Sequence, residues 1–270
     1  MNKTWKVLIR EAAENVERSV LLWWLSDTLN RPLTQLPLDE IPDPETVRTF
    51  ESALQRLAAA EPVQYLCGRA PFRDLELKVD SRVLIPRPET EQLVQIALDR
   101  LLPPGAAVLD LGTGSGCIAL ALKHERPDCR VEGVDLSADA VELARENAAR
   151  LNLDVAFRQQ DLLSGEPFRS WELLIANLPY IGENEAPSLP ATVRDFEPPM
   201  ALFSGPEGTD LILRLLQEAK AFLAPGGHLL LETGETQGPV WKQAADALGW
   251  EIRGQKDLAG RERFWIFRQK

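Results

Sequence analysis

At residues 108–116 the chain reads Val-Leu-Asp-Leu-Gly-Thr-Gly-Ser-Gly, a largely apolar run that leads into three glycines at alternate positions. Such a run is typical of a buried strand followed by a tight turn and a helix. Glycines in this turn allow positive φ angles and let a ligand approach the backbone N–H groups closely. The spacing departs from the Gly-x-Gly-x-x-Gly pattern of dehydrogenases, because Cys117 stands where their third glycine would be.

Downstream of residue 105, segments with strand and helix patterns alternate. We predict strands at residues 106–111, 130–135, 155–160, 172–177, 228–233, 250–256 and 262–268. We predict helices at residues 116–123, 138–151, 209–223 and 237–248. This alternation predicts a largely parallel, seven-stranded, Rossmann-like α/β sheet covered on both faces. Only residues 257–261 separate the last two strands, which is too short for a parallel crossover, so these strands must run antiparallel.

The first 70 residues have a helical pattern instead. Leucines recur at helical spacing between Leu21 and Leu29, and Asp43-Pro44 is a cap residue followed by a proline, which commonly begins a helix. These features predict a small helical bundle. So short a segment buries little apolar surface by itself, so we expect it to pack on another part of the protein.

Residues 71–91 change to a strand pattern. Apolar residues alternate from Phe72 to Val79, and a second apolar run at 83–85 follows a polar turn at 80–82, which predicts a β-hairpin. The segment ends in Pro-Arg-Pro-Glu-Thr-Glu, whose prolines hold the chain extended. The predicted domains are a helical bundle at 1–70, a hairpin linker at 71–91 and an α/β domain at 92–270.

Composition limits the kinds of partner. The formal net charge of −11 and the pI of about 4.9 disfavour broad contact with phosphate backbones, so we expect no direct nucleic-acid binding. The three cysteines have no zinc or disulfide spacing and there are only two histidines, so we expect reduced thiols and no metal site. The longest apolar runs are shorter than the roughly 20 residues that span a bilayer, so we expect a cytoplasmic protein without membrane contact.

Two aspartates follow the next two predicted strands. A carboxylate at Asp135 can accept both ribose hydroxyls of a nucleoside, although Asp135 could instead cap the helix that begins near Ser137. Asp161 would face the adenine amino group with Leu162 against the ring, although it could be an ordinary strand-end residue. The carboxyl ends of adjacent parallel strands meet at one edge of a sheet, where ligands bind in open α/β folds. The sequence therefore predicts a nucleoside site there.

The fourth strand ends in Asn177-Leu178-Pro179-Tyr180. An amide or base amino nitrogen is a poor nucleophile because its lone pair is delocalised. The Asn177 side-chain carbonyl and the Leu178 backbone carbonyl could hold such an NH₂ group and favour localisation of its lone pair toward a methyl donor. Pro179 stiffens the turn and Tyr180 offers a flat face to a planar group. This tetrapeptide predicts nitrogen methylation driven by positioning and electrostatics.

These motifs, with their flanks, make the chain resemble the PrmC/HemK family of peptide chain release factor glutamine methyltransferases. The resemblance covers nearly the whole chain. Besides the glycine turn and the tetrapeptide, it is carried by Pro-Val-Gln-Tyr-Leu-Cys-Gly at 62–68, Leu-Ile-Pro-Arg-Pro-Glu-Thr-Glu at 84–91, Phe-Glu-Pro at 196–198 and Ala-Leu at 201–202.

The resemblance implies N5-methylation of the glutamine in the GGQ motif of class 1 release factors, with S-adenosylmethionine as donor and S-adenosylhomocysteine as product. It implies a class I methyltransferase domain with an N-terminal domain that recognises the substrate. The cofactor residues it implies, with those argued above, are Gly112, Thr113, Gly114, Ser115, Gly116, Asp135, Asp161, Leu162 and Asn177. The substrate residues are Asn177, Leu178, Pro179 and Tyr180, of which Asn177 and Tyr180 are the catalytic candidates.

Two positions depart from the family pattern. Members often carry an aromatic residue where this chain has Leu162, and their usual tetrapeptide is Asn-Pro-Pro-Tyr, whereas this chain has Leu178. Asn-Leu-Pro-Tyr is typical of ribosomal RNA adenine dimethyltransferases, so an adenine-N6 methyltransferase acting on RNA or DNA is the alternative function. The acidic pI and the lack of a basic helical domain after residue 180 disfavour it. A non-catalytic nucleoside-binding protein and an NAD-dependent enzyme are more remote alternatives.

Three further features keep two interpretations each. Arg87, Glu89 and Thr90 either shape the acceptor pocket or belong to a structural linker. Glu197 either orients a loop near the acceptor or sits at a surface turn. The proline-rich segment 181–206 acts either as a lid over the acceptor or as a region that is disordered without a partner.

Overall fold

The computed structural model describes residues 3–164 and 170–270. The chain forms two compact units: Met1–Arg69 with Pro190–Phe196, and Ala70–Leu189 with Glu197–Lys270. None of the described helices is both long and apolar enough to cross a membrane.

The first unit is helical, as predicted. Its helices are α1 (Trp5–Ala12), α2 (Arg18–Thr28), α3 (Pro44–Ala58), α4 (Val63–Cys67) and, from later in the chain, α8 (Ala191–Arg194). The predicted start of α3 is confirmed: Asp43 Oδ1 accepts from the backbone N–H groups of Glu45 and Thr46, each at 2.9 Å. The rings of Trp5 and Trp24 each lie 5.5 Å from the ring of Phe50, so these side chains form the core of this unit.

The second unit contains two sheets. Its strands are β1 (Arg69–Phe72), β2 (Leu75–Lys78), β3 (Ala107–Leu111), β4 (Arg130–Asp135), β5 (Ala156–Gln159), β6 (Trp171–Asn177), β7 (Leu223–Glu232), β8 (Trp250–Lys256) and β9 (Glu262–Gln269). Its helices are α5 (Pro88–Arg100), α6 (Cys117–Glu125), α7 (Ala138–Leu151), α9 (Asp210–Glu218) and α10 (Gly238–Leu248).

The large sheet has the predicted seven strands. Their order is β5-β4-β3-β6-β7-β9-β8; the first five are parallel, and β9 runs antiparallel to both of its neighbours. After β5 the chain crosses back to place β6 beside β3, so the strand order reverses between these two strands. Ligands of open α/β sheets bind in the crevice that such a reversal opens at the carboxyl ends.

Apolar side chains cover both faces of this sheet. Successive strand residues point to opposite faces, so Val108 belongs to one core cluster and Leu109 to the other. The second cluster also contains Trp241 of α10 and Trp265 of β9, both fully buried. The continuous burial along β3 explains its nearly unbroken apolar sequence.

The hairpin lies earlier in the chain than predicted. Its two strands are β1 and β2, joined at Arg73-Asp74, whereas the sequence suggested strands around residues 80–82. Arg73 takes a positive φ of 50°, which its tertiary partners stabilise: its backbone N–H donates to Glu91 Oε1 at 2.9 Å and its guanidinium pairs with Glu125. The polar residues at 80–82 form a local turn, in which Arg82 binds the Asp80 carboxylate.

The strand β7 also begins five residues before the predicted position 228. The Pro-Gly-Gly sequence at 225–227 resembles a loop, yet Leu223 pairs with Trp171 across a register shift. The predicted helix at 209–223 therefore ends at Glu218, and a 3₁₀ turn at Ala219–Phe222 leads into the strand.

Asn147 joins the hairpin to the glycine turn. It is fully buried on α7; its Oδ1 accepts from the Lys78 N–H at 2.7 Å, and its Nδ2 donates to the carbonyls of Lys78 and Ser115, each at 3.0 Å. One side chain thus satisfies backbone groups of two segments that lie far apart in the sequence.

Replacing Asn147 by alanine should lower the free energy of unfolding by about 2–4 kcal/mol, because backbone groups of Lys78 and Ser115 would lose their partners in a dry environment. Urea titration measures the change. The Glu142→Ala substitution, exposed on the same helix, should cost less than about 0.5 kcal/mol. Equal effects of the two substitutions would contradict this role for Asn147.

Candidate active site

A cavity of about 410 Å³ opens at the carboxyl ends of β3, β4, β5 and β6, within the second unit. Its lining comes from the glycine turn, from the ends of β4 to β6, from the segment before α5 and from Pro198, Met200 and Ala201. Of the predicted site residues, Gly112 to Ser115, Asp135, Asp161, Leu162 and Asn177 to Pro179 line it. Gly116 and Tyr180 do not.

The glycine turn needs its glycines. Gly112, Gly114 and Gly116 have φ angles of 70°, 54° and 82°, which residues with a side chain rarely adopt. A Cβ on Gly112 would lie 2.8 Å from Leu178 Cδ2, so space as well as φ excludes a side chain there. The Gly112 and Thr113 N–H groups both donate to the Val134 carbonyl at 2.9 Å, which ties the turn to β4.

Asp135 is held by backbone donors. Its Oδ1 accepts from the Ser137 N–H and its Oδ2 from the Gly114 N–H, each at 2.9 Å, while burial raises its pKa. Ser137 itself caps α7 by accepting from the Ala140 N–H at 3.2 Å, so Asp135 is not needed as the cap. The Asp135 carboxylate keeps further lone pairs, which can accept hydrogen bonds from a ligand at the cavity wall.

Asp161 and Leu162 lie just beyond β5, which ends at Gln159 rather than at Asp161. Leu162 has a positive φ of 45°, which turns the chain so that this buried side chain lines the cavity. Both Asp161 oxygens accept from Arg214 Nη1, at 2.8 and 2.9 Å. A ligand amino group at Asp161 would therefore share this carboxylate with a guanidinium.

Asn177 is the last residue of β6. Its Nδ2 donates to Thr90 Oγ1 at 2.9 Å, so the linker segment contacts the tetrapeptide directly. Leu178 is only 3% exposed and packs on Gly112, which places its backbone at the cavity wall beside the glycine turn. Tyr180 lies behind the turn: its ring packs against the second core cluster, and burial raises its pKa to about 12.

Arg87 and Glu197 form one ion pair. Arg87 Nη2 donates to both oxygens of the buried Glu197 carboxylate, at 2.6 and 2.8 Å. Burial raises the pKa of Glu197, and Arg87 opposes that rise. The pair ties the segment before α5 to the residues that precede Pro198, and both segments line the cavity. Glu89 lies in the first turn of α5 and does not line it.

The segment 181–206 contains 3₁₀ turns at Glu183–Ser188 and Pro199–Ala201 besides α8. Its ends are tied together, because the Ile181 N–H donates to the Leu202 carbonyl at 3.0 Å and the Ser204 N–H donates to the Ile181 carbonyl at 3.1 Å. Met200 is exposed at the cavity. A lid role for this segment stays a prediction.

Sequence reasoning missed three residues. Asp110 is fully buried beneath the glycine turn, accepts from Thr113 Oγ1 at 2.6 Å and has its pKa raised to about 7 by burial. Its Oδ1 has no hydrogen-bond partner among the described residues. The sequence signal for Asp110 was its position as the one carboxylate within the otherwise apolar run at 108–111. Leu136, 52% exposed at the cavity, and Arg214 gave no comparable signal.

Comparison with known proteins connects this geometry to a family. Residues 102–257 match the model of a methyltransferase domain, and residues 3–68 match that of the PrmC N-terminal domain. A release factor glutamine methyltransferase from Moorella thermoacetica is 43% identical over 95% of this chain and 94% of its own length. This chain belongs to the release factor glutamine methyltransferase family. The relative from Rhodopirellula baltica is 40% identical over 83% of this chain and 79% of its own.

The enzyme shares its fold with solved methyltransferases. One from Pyrococcus furiosus superimposes with a TM-score of 0.57 at 20% identity, covering 83% of this chain and 98% of that one. A ribosomal protein L11 methylase from Lactobacillus delbrueckii gives 0.54 at 22% identity, covering 72% and 86%. At these identities the likeness shows the fold alone, a class I methyltransferase fold as predicted.

The polar and apolar groups of the cavity fit S-adenosylmethionine. Gly112 and Gly114, both with positive φ, line the cavity, and Asp135 presents acceptors suited to a ribose diol. The unpartnered oxygen of Asp110 lies beneath the same turn. The apolar side chains of Leu136, after β4, and Leu162, after β5, also line the cavity.

Replacing Asp135 by alanine should weaken S-adenosylmethionine binding about 10- to 100-fold, because the ribose acceptors and the anchor of the Gly114 N–H are lost together. Isothermal titration calorimetry measures the Kd. Asp154→Ala, in an exposed position away from the cavity, is the matched control and should bind the cofactor as the wild type does. Unchanged affinity in Asp135→Ala would rule out the ribose contact.

Proposed function

We propose that this enzyme transfers a methyl group from S-adenosylmethionine to the side-chain N5 of the glutamine in the GGQ motif of class 1 peptide chain release factors. The observation that carries the proposal is the shared cavity wall: Asn177, Leu178 and Pro179 lie beside the glycine turn and Asp135. The names of the relatives support glutamine as the acceptor. In them the same two-domain sequence is called a release factor glutamine methyltransferase.

The cofactor residues act by binding and orienting. We assign the ribose hydroxyls to Asp135, the adenine amino group to Asp161 and the faces of the adenine ring to Leu136 and Leu162. The sulfonium supplies an activated methyl group, so this chain needs no covalent nucleophile.

The acceptor amide is held by two carbonyls. We assign one N–H of the substrate glutamine to Asn177 Oδ1 and the other to the Leu178 backbone carbonyl. Both hydrogen bonds favour the geometry in which the nitrogen lone pair points toward the methyl donor. Pro179 fixes the backbone after these acceptors. Tyr180 supports the turn, since Gln237 Nε2 donates to its carbonyl at 2.8 Å, and its ring would approach the acceptor only from behind the cavity wall.

Leucine at position 178 is compatible with this chemistry. The contact uses a backbone carbonyl, which leucine and proline both provide. The resemblance of the tetrapeptide to RNA adenine dimethyltransferases is outweighed by relatives that match nearly the whole chain and carry the glutamine methyltransferase name. Among the residues that the structure describes, the cavity shows no geometric feature that favours an adenine substrate over a glutamine substrate.

The helical unit is proposed to recognise the protein substrate. A glutamine presented on a loop offers few contacts to the cavity, so discrimination between protein substrates needs a further surface. Residues 3–68 match a family-specific N-terminal domain model. The methyltransferase domain model matches residues 102–257 and does not include the helical unit. We therefore propose that the helical unit adds a function beyond the methyl transfer itself.

The enzyme should transfer labelled methyl groups from S-adenosylmethionine to a purified class 1 release factor, and not to its Gln→Ala variant in the GGQ motif or to ribosomal RNA. The amide nitrogen is the acceptor, so removing it removes the reaction. Scintillation counting of each product, with mass spectrometry of the GGQ peptide, measures the outcome. Label on RNA alone would establish the adenine alternative.

The Asn177→Ala variant is the catalytic control for this experiment. It should lose transfer by at least about 100-fold, because one of two preorganised acceptors is gone, while its thermal unfolding stays close to that of the wild type. Glu142→Ala should transfer normally. Full activity in Asn177→Ala would exclude the assigned acceptor contact even if the release factor is methylated.

Deleting residues 1–69 should raise KM for the intact release factor about tenfold or more, while the Kd for S-adenosylmethionine changes less than about threefold. The cofactor cavity lies within the second unit, so the helical unit contributes only to the protein substrate. Steady-state kinetics and calorimetry give the two values. Comparable losses of both would make the helical unit a folding support.

A further inference from the structure

Thr90 lines the cavity and binds the carboxamide of Asn177 there. It is 2% exposed, lies in the first turn of α5 and accepts the hydrogen bond from Asn177 Nδ2 at 2.9 Å. A carboxamide has a donor end and an acceptor end. When Thr90 occupies the NH₂ end of Asn177, the Oδ1 end is left for the acceptor glutamine, as the proposed transfer requires.

Glu232 is the buried carboxyl group that interacts with the Thr90 hydroxyl. It is 1% exposed, is the last residue of β7 and lies in register with Asn177 on the neighbouring strand β6. A hydrogen bond from Thr90 lowers its carboxyl pKa. A hydroxyl has a single proton; once that proton is donated to the Glu232 carboxylate, the Thr90 oxygen can only accept from Asn177.

These hydrogen bonds require the NH₂ end of the Asn177 carboxamide to face Thr90, whichever of its two terminal atoms is assigned as nitrogen. A flipped amide would bring its own carbonyl oxygen to a Thr90 oxygen that has no proton left to give. Two acceptors that face each other in a buried place repel and leave both without a partner, which disfavours the flipped amide. The hydrogen-bond chain also polarises Asn177 Oδ1, because each bond strengthens the next.

We propose that Glu232 and Thr90 are positioning residues, which orient the Asn177 carbonyl toward the acceptor amide through the chain Glu232–Thr90–Asn177. The proposal rests on the assignment of Asn177 as an acceptor of the glutamine N–H. It gives a role to Thr90 within the Pro-Arg-Pro-Glu-Thr-Glu segment, whose function the sequence left open between pocket and linker. Neither residue has to touch the substrate.

The charge of Glu232 makes the chain sensitive to pH. Burial raises the Glu232 pKa to about 7. The carboxylate form, present above that pH, accepts from Thr90 and fixes the amide. Below it, the protonated carboxyl can donate to Thr90, whose proton is then free to turn toward Asn177, so the amide orientation is lost. Transfer should therefore rise with pH through about 7.

The groups that face Glu232 set this balance. Arg263 on β9 and Arg87 before α5 favour the carboxylate, while Glu89 on α5 opposes it. Tyr180 and Cys117 also lie near enough to interact with its charge, and both have pKa values raised to about 12, so they stay neutral. Asp110, with its pKa raised to about 7, titrates in the same range and has to be separated by experiment.

The test measures kcat and KM for the release factor from about pH 5.5 to about pH 9, with the Kd for S-adenosylmethionine. Thr90→Val keeps the shape but removes the hydroxyl, so kcat should fall about 10- to 100-fold while both KM and Kd change less than about threefold. Thr90→Ser should recover most of the lost rate. Glu232→Gln, which like the protonated carboxyl can donate to Thr90, should lose the rise near pH 7 and keep about the low-pH kcat throughout.

Glu132→Gln is the matched control, since it removes the charge of another buried glutamate, which pairs with Arg158 on β5. It should keep the wild-type pH profile. A pH rise that persists in Glu232→Gln would assign the titration to Asp110 and overturn the role of Glu232. Equal kcat in Thr90→Val and wild type would overturn the chain as a whole. Absence of any release factor methylation by the wild type would instead reject the proposed function.

Discussion

The close contact between the ends of β3 and β6 is the constraint on which the site depends. Leu178 packs on Gly112 so tightly that a Cβ at position 112 would lie 2.8 Å from its Cδ2. The two strands are neighbours because the strand order reverses between them. In the proposed reaction this brings the turn that would hold the cofactor beside the turn that would hold the acceptor, so that the methyl group would have to travel only from one wall of the cavity to the other.

Buried carboxyl groups surround that point. Asp110, Glu197 and Glu232 are each shielded from solvent, and burial raises the pKa of all three. An unpaired buried charge is destabilising, and the three are compensated differently: Glu197 by Arg87, Glu232 by Thr90 and by the charges of Arg263 and Arg87, and Asp110 by the Thr113 hydroxyl and the Ala119 N–H. Asp110 and Glu232 each keep one buried carboxyl oxygen that has no hydrogen-bond partner among the described residues.

Much of this architecture followed from the sequence. Strand and helix positions from Ala107 to Gln159 were predicted within two residues, because apolar runs bounded by glycines and caps are local signals. The hairpin was misplaced because the turn at Arg73 depends on Glu125 and Glu91, far along the chain. The contacts Thr90–Asn177 and Arg87–Glu197 could not be predicted for the same reason. All four residues were candidates from the sequence, but only the fold shows that these contacts join the linker segment to the two cavity segments.

The difference between local sequence signals and contacts made only in the fold also explains the unusual leucine of the tetrapeptide, Leu178. Position 178 has two separable roles: in the proposed function its backbone carbonyl binds the acceptor, and its side chain packs on Gly112. Proline and leucine differ in the second role and not in the first. At 3% exposure, Leu178 is a core residue whose packing fixes the carbonyl that a proline would fix through its ring. Side-chain packing can therefore supply the rigidity that the usual Asn-Pro-Pro-Tyr sequence obtains from covalent geometry.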